Sequence, residues 1–171
     1  MRAFVSSTHP ATMTVVLYRV DERLIHGQVV LGWGRELRPD RYVVVDDALA
    51  ESEWEQELYS LSVADEHDVV FASLADARAS LLAWQTDGPR AVLLTRDVTT
   101  MADLAEGASV EGVEVNLGGI HHRPGRREVR PYLFLDDDDR AAVRRLVDAG
   151  ARVTGRDLPA ATRVGLDQLL A

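Results

Sequence analysis

The sequence predicts an α/β protein built on an open, mainly parallel sheet with helices on both faces. Three observations predict it. Short β-branched runs alternate with longer amphipathic stretches along most of the chain, the rhythm of strand–helix–strand crossovers. The runs VVVDD (43–47) and AVLLT (91–95) are apolar without clean alternation, as strands covered on both faces should be. No repeat, low-complexity segment or interdomain linker interrupts the pattern.

The elements follow in order. Val15–Val20 (VVLYRV) reads as the first strand. Gly27 to Leu37 reads as a helix, ended by Arg38-Pro39 because the residue before a proline is pushed out of the helical region. Arg41–Asp46 is the second strand. Ser52 to Val63 is a helix, with Ser52 and Glu55 at capping-box spacing. His67–Ala72 is the third strand. The helix Leu74–Trp84 carries Leu74, Ala77, Leu81 and Trp84 on one face. Arg90–Thr95 is the fourth strand, Val98–Glu106 a short helix and Gly112–Leu117 the fifth strand. Gly118–Arg130 reads as a Gly- and Arg-rich loop, and Pro131–Leu135 as a short strand. Asp136–Ala149 is a helix whose acidic first turn suits the positive end of its dipole. Ala151–Asp157 closes the series.

A chain of 171 residues favours one domain with a sizeable core. That domain is expected over 13–171. Residues 1–12 (MRAFVSSTHPAT) read as a disordered extension, or as a misplaced start ahead of Met13, without the apolar stretch of a secretory signal. No apolar run approaches the roughly 18 residues that cross a bilayer. Cysteine is absent, which removes disulfides, thiolate zinc sites and cysteine nucleophiles. The formal net charge of −9 argues against generic nucleic-acid binding. All 19 basic residues are Arg. Schiff-base chemistry and a lysine-bearing phosphate loop are therefore excluded.

Sites in open α/β sheets form beyond the carboxyl ends of the strands. That rule selects Arg19 to His26, Asp46-Asp47, Phe71 to Ser73, Thr95-Arg96 and Asn116 to Gly119. The segment RVDERLIHGQV, Arg19 to Val29, is the densest of them. His26 suits nucleophilic or acid–base work near neutral pH. Arg19 and Arg23 can fork onto phosphate oxygens. Asp21 or Glu22 can fix the imidazole tautomer or orient an Arg. Gly27 permits close backbone approach or unusual dihedrals, and the helix starting there aims free N–H groups at the loop. Gln28, Ser73, Gly118 and Gly119 complete the candidate phosphate-binding and supporting set. On physics alone two readings stand: a phosphoryl or anion site with His26 as nucleophile, or a charged surface loop whose ions pair with one another.

Other features read more plainly. His121-His122 are adjacent and have no evident third ligand, so no metal is expected. The basic stretch with Arg123, Arg126, Arg127 and Arg130 could assist phosphate binding or dock a partner. Asp46-Asp47 and Ser73 suit helix capping. Asn116–Gly119 lacks a dinucleotide fingerprint, and Asp136–Asp139 lacks the spacing of a calcium loop. Trp33, Trp54 and Trp84 are expected in the core or at an interface.

RVDERLIHGQVVLGW resembles the signature of mannose/fructose/sorbose-family IIB proteins of the sugar phosphotransferase system. YVVVDDALA resembles that family's segment after the second strand, and VNLGGIHHRPGRREV its glycine loop. The resemblance runs from about Met13 to the C-terminus and implies the family's α/β fold. It implies that His26 takes a phosphoryl group from a IIA domain and passes it to a sugar entering through membrane IIC and IID subunits. Asp21 and Arg23 map onto the family's neighbouring Asp and Arg. No cofactor is implied, the partners are expected as separate polypeptides, a homodimer is compatible, and the location is cytoplasmic and peripheral to the membrane. Glu22 stands where many relatives carry Asp, and Leu31-Gly32-Trp33 departs from an expected Thr-Arg-Trp. A phosphorylation-responsive regulator without sugar transfer, or a nucleotide- or small-anion-binding module that is not phosphorylated, is the alternative.

Overall fold

The computed structural model describes residues 13–64, 66–84, 88–106, 108 and 110–171. Residues 1–12, read above as an extension, lie outside the described residues.

Six strands form the main sheet: β1 (Thr14–Val20), β2 (Arg41–Val45), β3 (Asp68–Ala72), β4 (Arg90–Thr95), β5 (Glu114–Leu117) and β8 (Arg152–Gly155). Their spatial order is β3-β2-β4-β1-β5-β8, and every pairing is parallel. The predicted fold class is thus the observed one. Two further strands, β6 (Arg127–Arg130) and β7 (Leu133–Leu135), pair antiparallel as a separate hairpin. The reading of 118–130 as loop missed β6. Its half-exposed sequence REVR carries no apolar run for a strand pattern to show.

Strand pleating sorts the core into two layers. Val43, Val45 and Leu93 face α4 (Leu74–Trp84), α5 (Val98–Ala105) and α6 (Asp137–Asp148). Tyr42, Val44, Val92 and Leu94 face the opposite layer with Leu24, Ile25, Val29, Trp33 and Leu49. These side chains are almost fully buried, and burying each large aliphatic one contributes about 1.5–3 kcal/mol before entropy is counted.

The first helix differs in kind from the expected one. Residues Gln28–Trp33 are π-helical and continue into α1 (Gly34–Leu37). A short helix not foreseen, α2 (Asp47–Ala50), is capped by Asp46, whose Oδ1 accepts from the Leu49 amide at 2.9 Å. Asp47 Oδ1 accepts from the Leu74 amide at 2.7 Å, so the acidic pair serves two helix starts, as the capping reading held. The expected capping box at Ser52 does not form. The chain enters α3 (Glu53–Ser60) directly from α2 with Ser52 at φ −113° and ψ 86°, and its hydroxyl caps nothing. The acidic run 136–139 is a helix start as read: Asp136 and Asp139 cap each other's amides at 2.8 and 3.1 Å. A last helix, α7 (Leu166–Leu170), was not foreseen and buries Leu169.

β1 lies between β4 and β5, so its carboxyl end is held on both sides. The Asp21 amide donates to the Thr95 carbonyl at 2.9 Å, and the Gly118 amide donates to the Val20 carbonyl at 2.8 Å. The loop after β1 therefore starts from an interior strand of the sheet.

Candidate active site

Asp21 is the hub. It is fully buried at the end of β1. Its Oδ2 lies 3.0 Å from His26 Nε2, accepts from Arg19 Nη2 at 2.9 Å, and accepts from the Gly119 amide at 3.3 Å. Its Oδ1 accepts from the Arg23 amide at 3.1 Å. Burial pushes the Asp21 carboxyl up, but the His26 hydrogen bond, the Arg19 charge and the Arg23 amide outweigh it. The net effect holds Asp21 below the usual carboxylate range, so it is an anion at neutral pH. An anion can only accept, so the imidazole Nε2 bears the proton. In the neutral form of the ring the lone pair is then on Nδ1.

The loop reaches this geometry through Leu24. Leu24 is fully buried and sits at φ 56°, in the left-handed region that costs a side-chain-bearing residue free energy. Its amide donates to the Asp21 carbonyl at 2.9 Å, closing a turn that swings His26 back over Asp21. The unusual dihedral expected of Gly27 belongs to Leu24 instead. Gly27 is helical at φ −51° and ψ −43°, and a Cβ there would meet nothing within 4 Å.

Behind Asp21 lies Arg19, fully buried. Its Nη1 donates to Asn116 Oδ1 at 2.5 Å and the Arg156 carbonyl at 2.8 Å; its Nη2 also donates to the Asp157 carbonyl at 3.1 Å. Burial lowers its pKa, partly offset by Asp21. Its guanidinium stands 5.4 Å from the Trp33 ring, which Arg156 covers at 4.8 Å. Trp33 Nε1 donates to the Asp157 carbonyl at 2.9 Å. A Cβ on Gly118 would come within 2.2 Å of Arg19 Cζ, and one on Gly119 within 3.3 Å of Asp21 Oδ1. The glycines are there for close approach. Both belong to the layer behind His26, as does Arg19.

The open side is sparser. The His26 side chain is 14% exposed. Arg23 is exposed, and its Nη2 donates to Gln28 Oε1 at 3.2 Å. That bond leans Arg23 along the start of the π-helical segment. The first amide of this helix to find a partner is that of Val29, which donates to the His26 carbonyl at 3.0 Å. The Gly27 and Gln28 amides precede it, as unpaired N–H groups do at any helix start. Ser73 lies elsewhere: its Oγ accepts from the Asp76 amide at 3.1 Å and donates to Asp76 Oδ2 at 2.8 Å, capping α4.

Glu22 organises a second network. Its Oε1 accepts from Arg126 Nη1 at 2.6 Å and pairs with Arg123 at 3.2 Å. Its Oε2 accepts from the His121 amide at 3.0 Å and lies 2.8 Å from His121 Nδ1. Burial raises the Glu22 pKa, but Arg126 and His121 overcome it and leave it lowered. Arg126 also pairs with Asp139 at 3.3 Å, and Arg127 with Asp137 at 2.9 Å. Much of the basic stretch is therefore neutralised within the fold. His122 stacks edge-on against Phe134. Arg96 joins in from β4, donating to the Glu22 carbonyl at 3.2 Å and to Asp46 Oδ2 at 3.0 Å.

Sequence reasoning found His26, Asp21, Arg23, Arg19, Gly118 and Gly119 as a set. It missed the parts contributed by Asn116, Trp33, Arg156 and Asp157. Asn116 carried a signal, since it precedes Leu117-Gly118-Gly119 at a selected strand end. The carbonyls of Arg156 and Asp157 carried none, because every residue has one.

The chain matches the family described as "PTS system sorbose subfamily IIB component" over residues 15–171. It is 32% identical over 161 residues to the fructose-specific EIIB component of Bacillus subtilis (strain 168), covering 92% of this chain and 96% of that protein. It is 29% identical over 162 residues to the mannose-specific EIIAB component of Escherichia coli (strain K12), covering 93% of this chain and 49% of that protein. The crystal structure of the IIBSor domain of the sorbose permease from Klebsiella pneumoniae superposes with a TM-score of 0.81 at 26% identity, covering 92% and 96% of the two chains.

Proposed function

The chain belongs to the sorbose subfamily of IIB components of the sugar phosphotransferase system, and from that premise we propose that His26 is its phosphoryl carrier, acting through Nδ1. IIB components transfer a phosphoryl group to sugar during uptake, taking it from a IIA donor and working with membrane IIC and IID subunits. In the mannose-specific EIIAB relative, A and B components share one name and one chain.

The observation that carries the reading is the 3.0 Å contact of His26 Nε2 with a buried Asp21 that His26, Arg19 and the Arg23 amide together keep ionised. Asp21 fixes the proton on Nε2 and leaves Nδ1 free to attack. As the P–N bond to Nδ1 forms and the donor's P–N bond breaks, positive charge grows on the imidazole. Asp21 stabilises that charge without taking the proton. The transition state is loose and spreads charge over three oxygens, so the work is positioning and electrostatics. Arg23 and the Gly27 and Gln28 amides are the groups we assign to those oxygens. In the second step the P–Nδ1 bond breaks as a sugar hydroxyl oxygen attacks and forms the new O–P bond; the hydroxyl proton passes to water, and the neutral imidazole is recovered with Nε2 still protonated.

The test is phosphoryl transfer from a phosphorylated IIA domain to the wild-type chain and to His26→Ala. Acid-labile, base-stable phosphate on the wild type and none on the variant is expected, with a phosphorus–nitrogen coupling to Nδ1 in NMR of isotope-labelled protein. Equal labelling of both chains overturns the assignment of His26. Coupling to Nε2 overturns the role of Asp21.

A further inference from the structure

Beside the His26 loop lies an apolar face that none of the described residues covers. On α3, Trp54 is 66% exposed, Leu58 57% and, just past the helix end, Leu61 81%. They recur at helical spacing and form one stripe. The other two tryptophans, Trp33 and Trp84, are buried. An open cavity of about 350 Å³ is lined by Ile25, Trp54, Glu55, Leu58, Tyr59 and Ser62. Ile25 immediately precedes His26, so this depression begins at the phosphoryl carrier's own loop. A second hollow, lined by Ala48, Glu51, Ser52, Glu53 and Glu57, opens on the other side of Trp54.

The rim of the stripe is acidic. Glu51, Glu53 and Glu57 are exposed and Glu55 is half-buried. None of the four makes an ion pair with a described residue. Nearer the site, Glu22 and Asp46 are paired with Arg side chains. Four unpaired carboxylates around an exposed Trp therefore fit an apolar knob ringed by basic side chains. A Trp at the centre of such a patch is the kind of residue that dominates interface energies.

We propose that this face of α3 is where the chain docks on the basic, sugar-exit side of its IIC–IID permease. The inference rests on the reading of the chain as a phosphoryl-carrying IIB component. Membrane proteins carry an excess of Lys and Arg in the loops on that side, which is the charge the rim would meet. An anionic lipid surface would repel the same carboxylates. Docking through Trp54 and the Ile25 hollow would bring the His26 loop against the permease.

The test uses the full chain and the IIC–IID permease from the same genome in nanodiscs, with empty nanodiscs of the same lipids as control. The variants are Trp54→Ala with Leu58→Ser, and separately Glu53→Arg with Glu57→Arg. Both alter exposed positions. Each is expected to weaken permease binding by about 30-fold or more and to depress sugar phosphorylation accordingly. Acceptance of phosphate from the IIA donor should stay within about twofold of the wild type. His26→Ala should bind the permease as wild type does, which separates docking from the carrier assignment. Unchanged permease binding in both variants overturns the proposal. So do slowed donor phosphorylation with intact permease binding, which assigns the face to the donor, and wild-type binding to empty nanodiscs, which assigns it to lipid. A wild-type dimer that the Trp54 variant dissociates, with permease binding kept, overturns it in favour of a second copy.

Discussion

Asp21 and Glu22 are adjacent carboxylates at the end of one strand, yet they serve two separate regions. Asp21 continues the pleat of Arg19 and turns inward, into a fully buried layer with Arg19, Gly119 and His26. Glu22 turns the other way and ties the loop to His121, Arg123 and Arg126. Burial raises both pKa values in the same direction, and in both the partners win. The difference lies in what the partners do. One network holds a reactive imidazole; the other holds a hairpin in place. A carboxylate's role here follows from the side of the strand it leaves by, not from its chemical type.

The sharpest way to break the comparison is to neutralise each carboxylate in turn. Asp21→Asn leaves Arg19 buried without its counter-ion and lets an amide donate to Nε2, which moves the proton to Nδ1. The transfer rate from phospho-IIA should fall by about 100-fold or more, and stability by about 3–5 kcal/mol in urea unfolding. A rate within threefold of wild type would show that the buried layer is only structural. Gly118→Ala attacks the same layer from behind, since its Cβ would fall within 2.2 Å of Arg19 Cζ. It should cost about 1–3 kcal/mol and slow transfer, although it touches neither His26 nor substrate.

Glu22→Gln should lose about 1–2 kcal/mol while phosphoryl acceptance stays within about threefold. A larger rate loss would join the two networks into one. Acidification probes both at once. A carboxyl whose folded pKa is depressed stabilises the fold above its unfolded value and loses that contribution as pH falls through the folded one. The melting temperature should therefore drop as pH falls through and below the usual carboxylate range of about 4, and less steeply in Asp21→Asn and Glu22→Gln. The smallest effect should be at Gly27→Ala. The backbone there is helical and the space open, so stability should rise by about 0.5–1 kcal/mol. Any accompanying loss of transfer would show that a partner or phosphate needs the space.

The strands were legible because doubly covered strands are long apolar runs, and α4 because Ala77, Leu81 and Trp84 repeat at helical spacing and are buried. The loop after β1 was legible because charge and a lone His were concentrated at a strand end. The weaker readings failed where neighbours decide. Ser52 has the residue type of a cap, but α2 sets its entry angle. β6 has a polar sequence and is a strand only because β7 lies beside it. Gly27 has the residue type that permits close approach or unusual dihedrals, but the left-handed position is Leu24, whose side chain is held in the core.

The sequence by itself determined the alternating architecture, the position of His26 beyond the first strand, and the charged groups within reach of it. These rest on periodicity and on chain-local spacing, which a linear string contains. Only the tertiary structure decided which carboxylate meets the imidazole, that Arg19 lies behind it under Trp33, and that the carbonyls of Arg156 and Asp157 accept from it. These contacts span up to 138 positions. They depend on strand order and on the direction each side chain leaves the sheet, which exist only once the chain is packed.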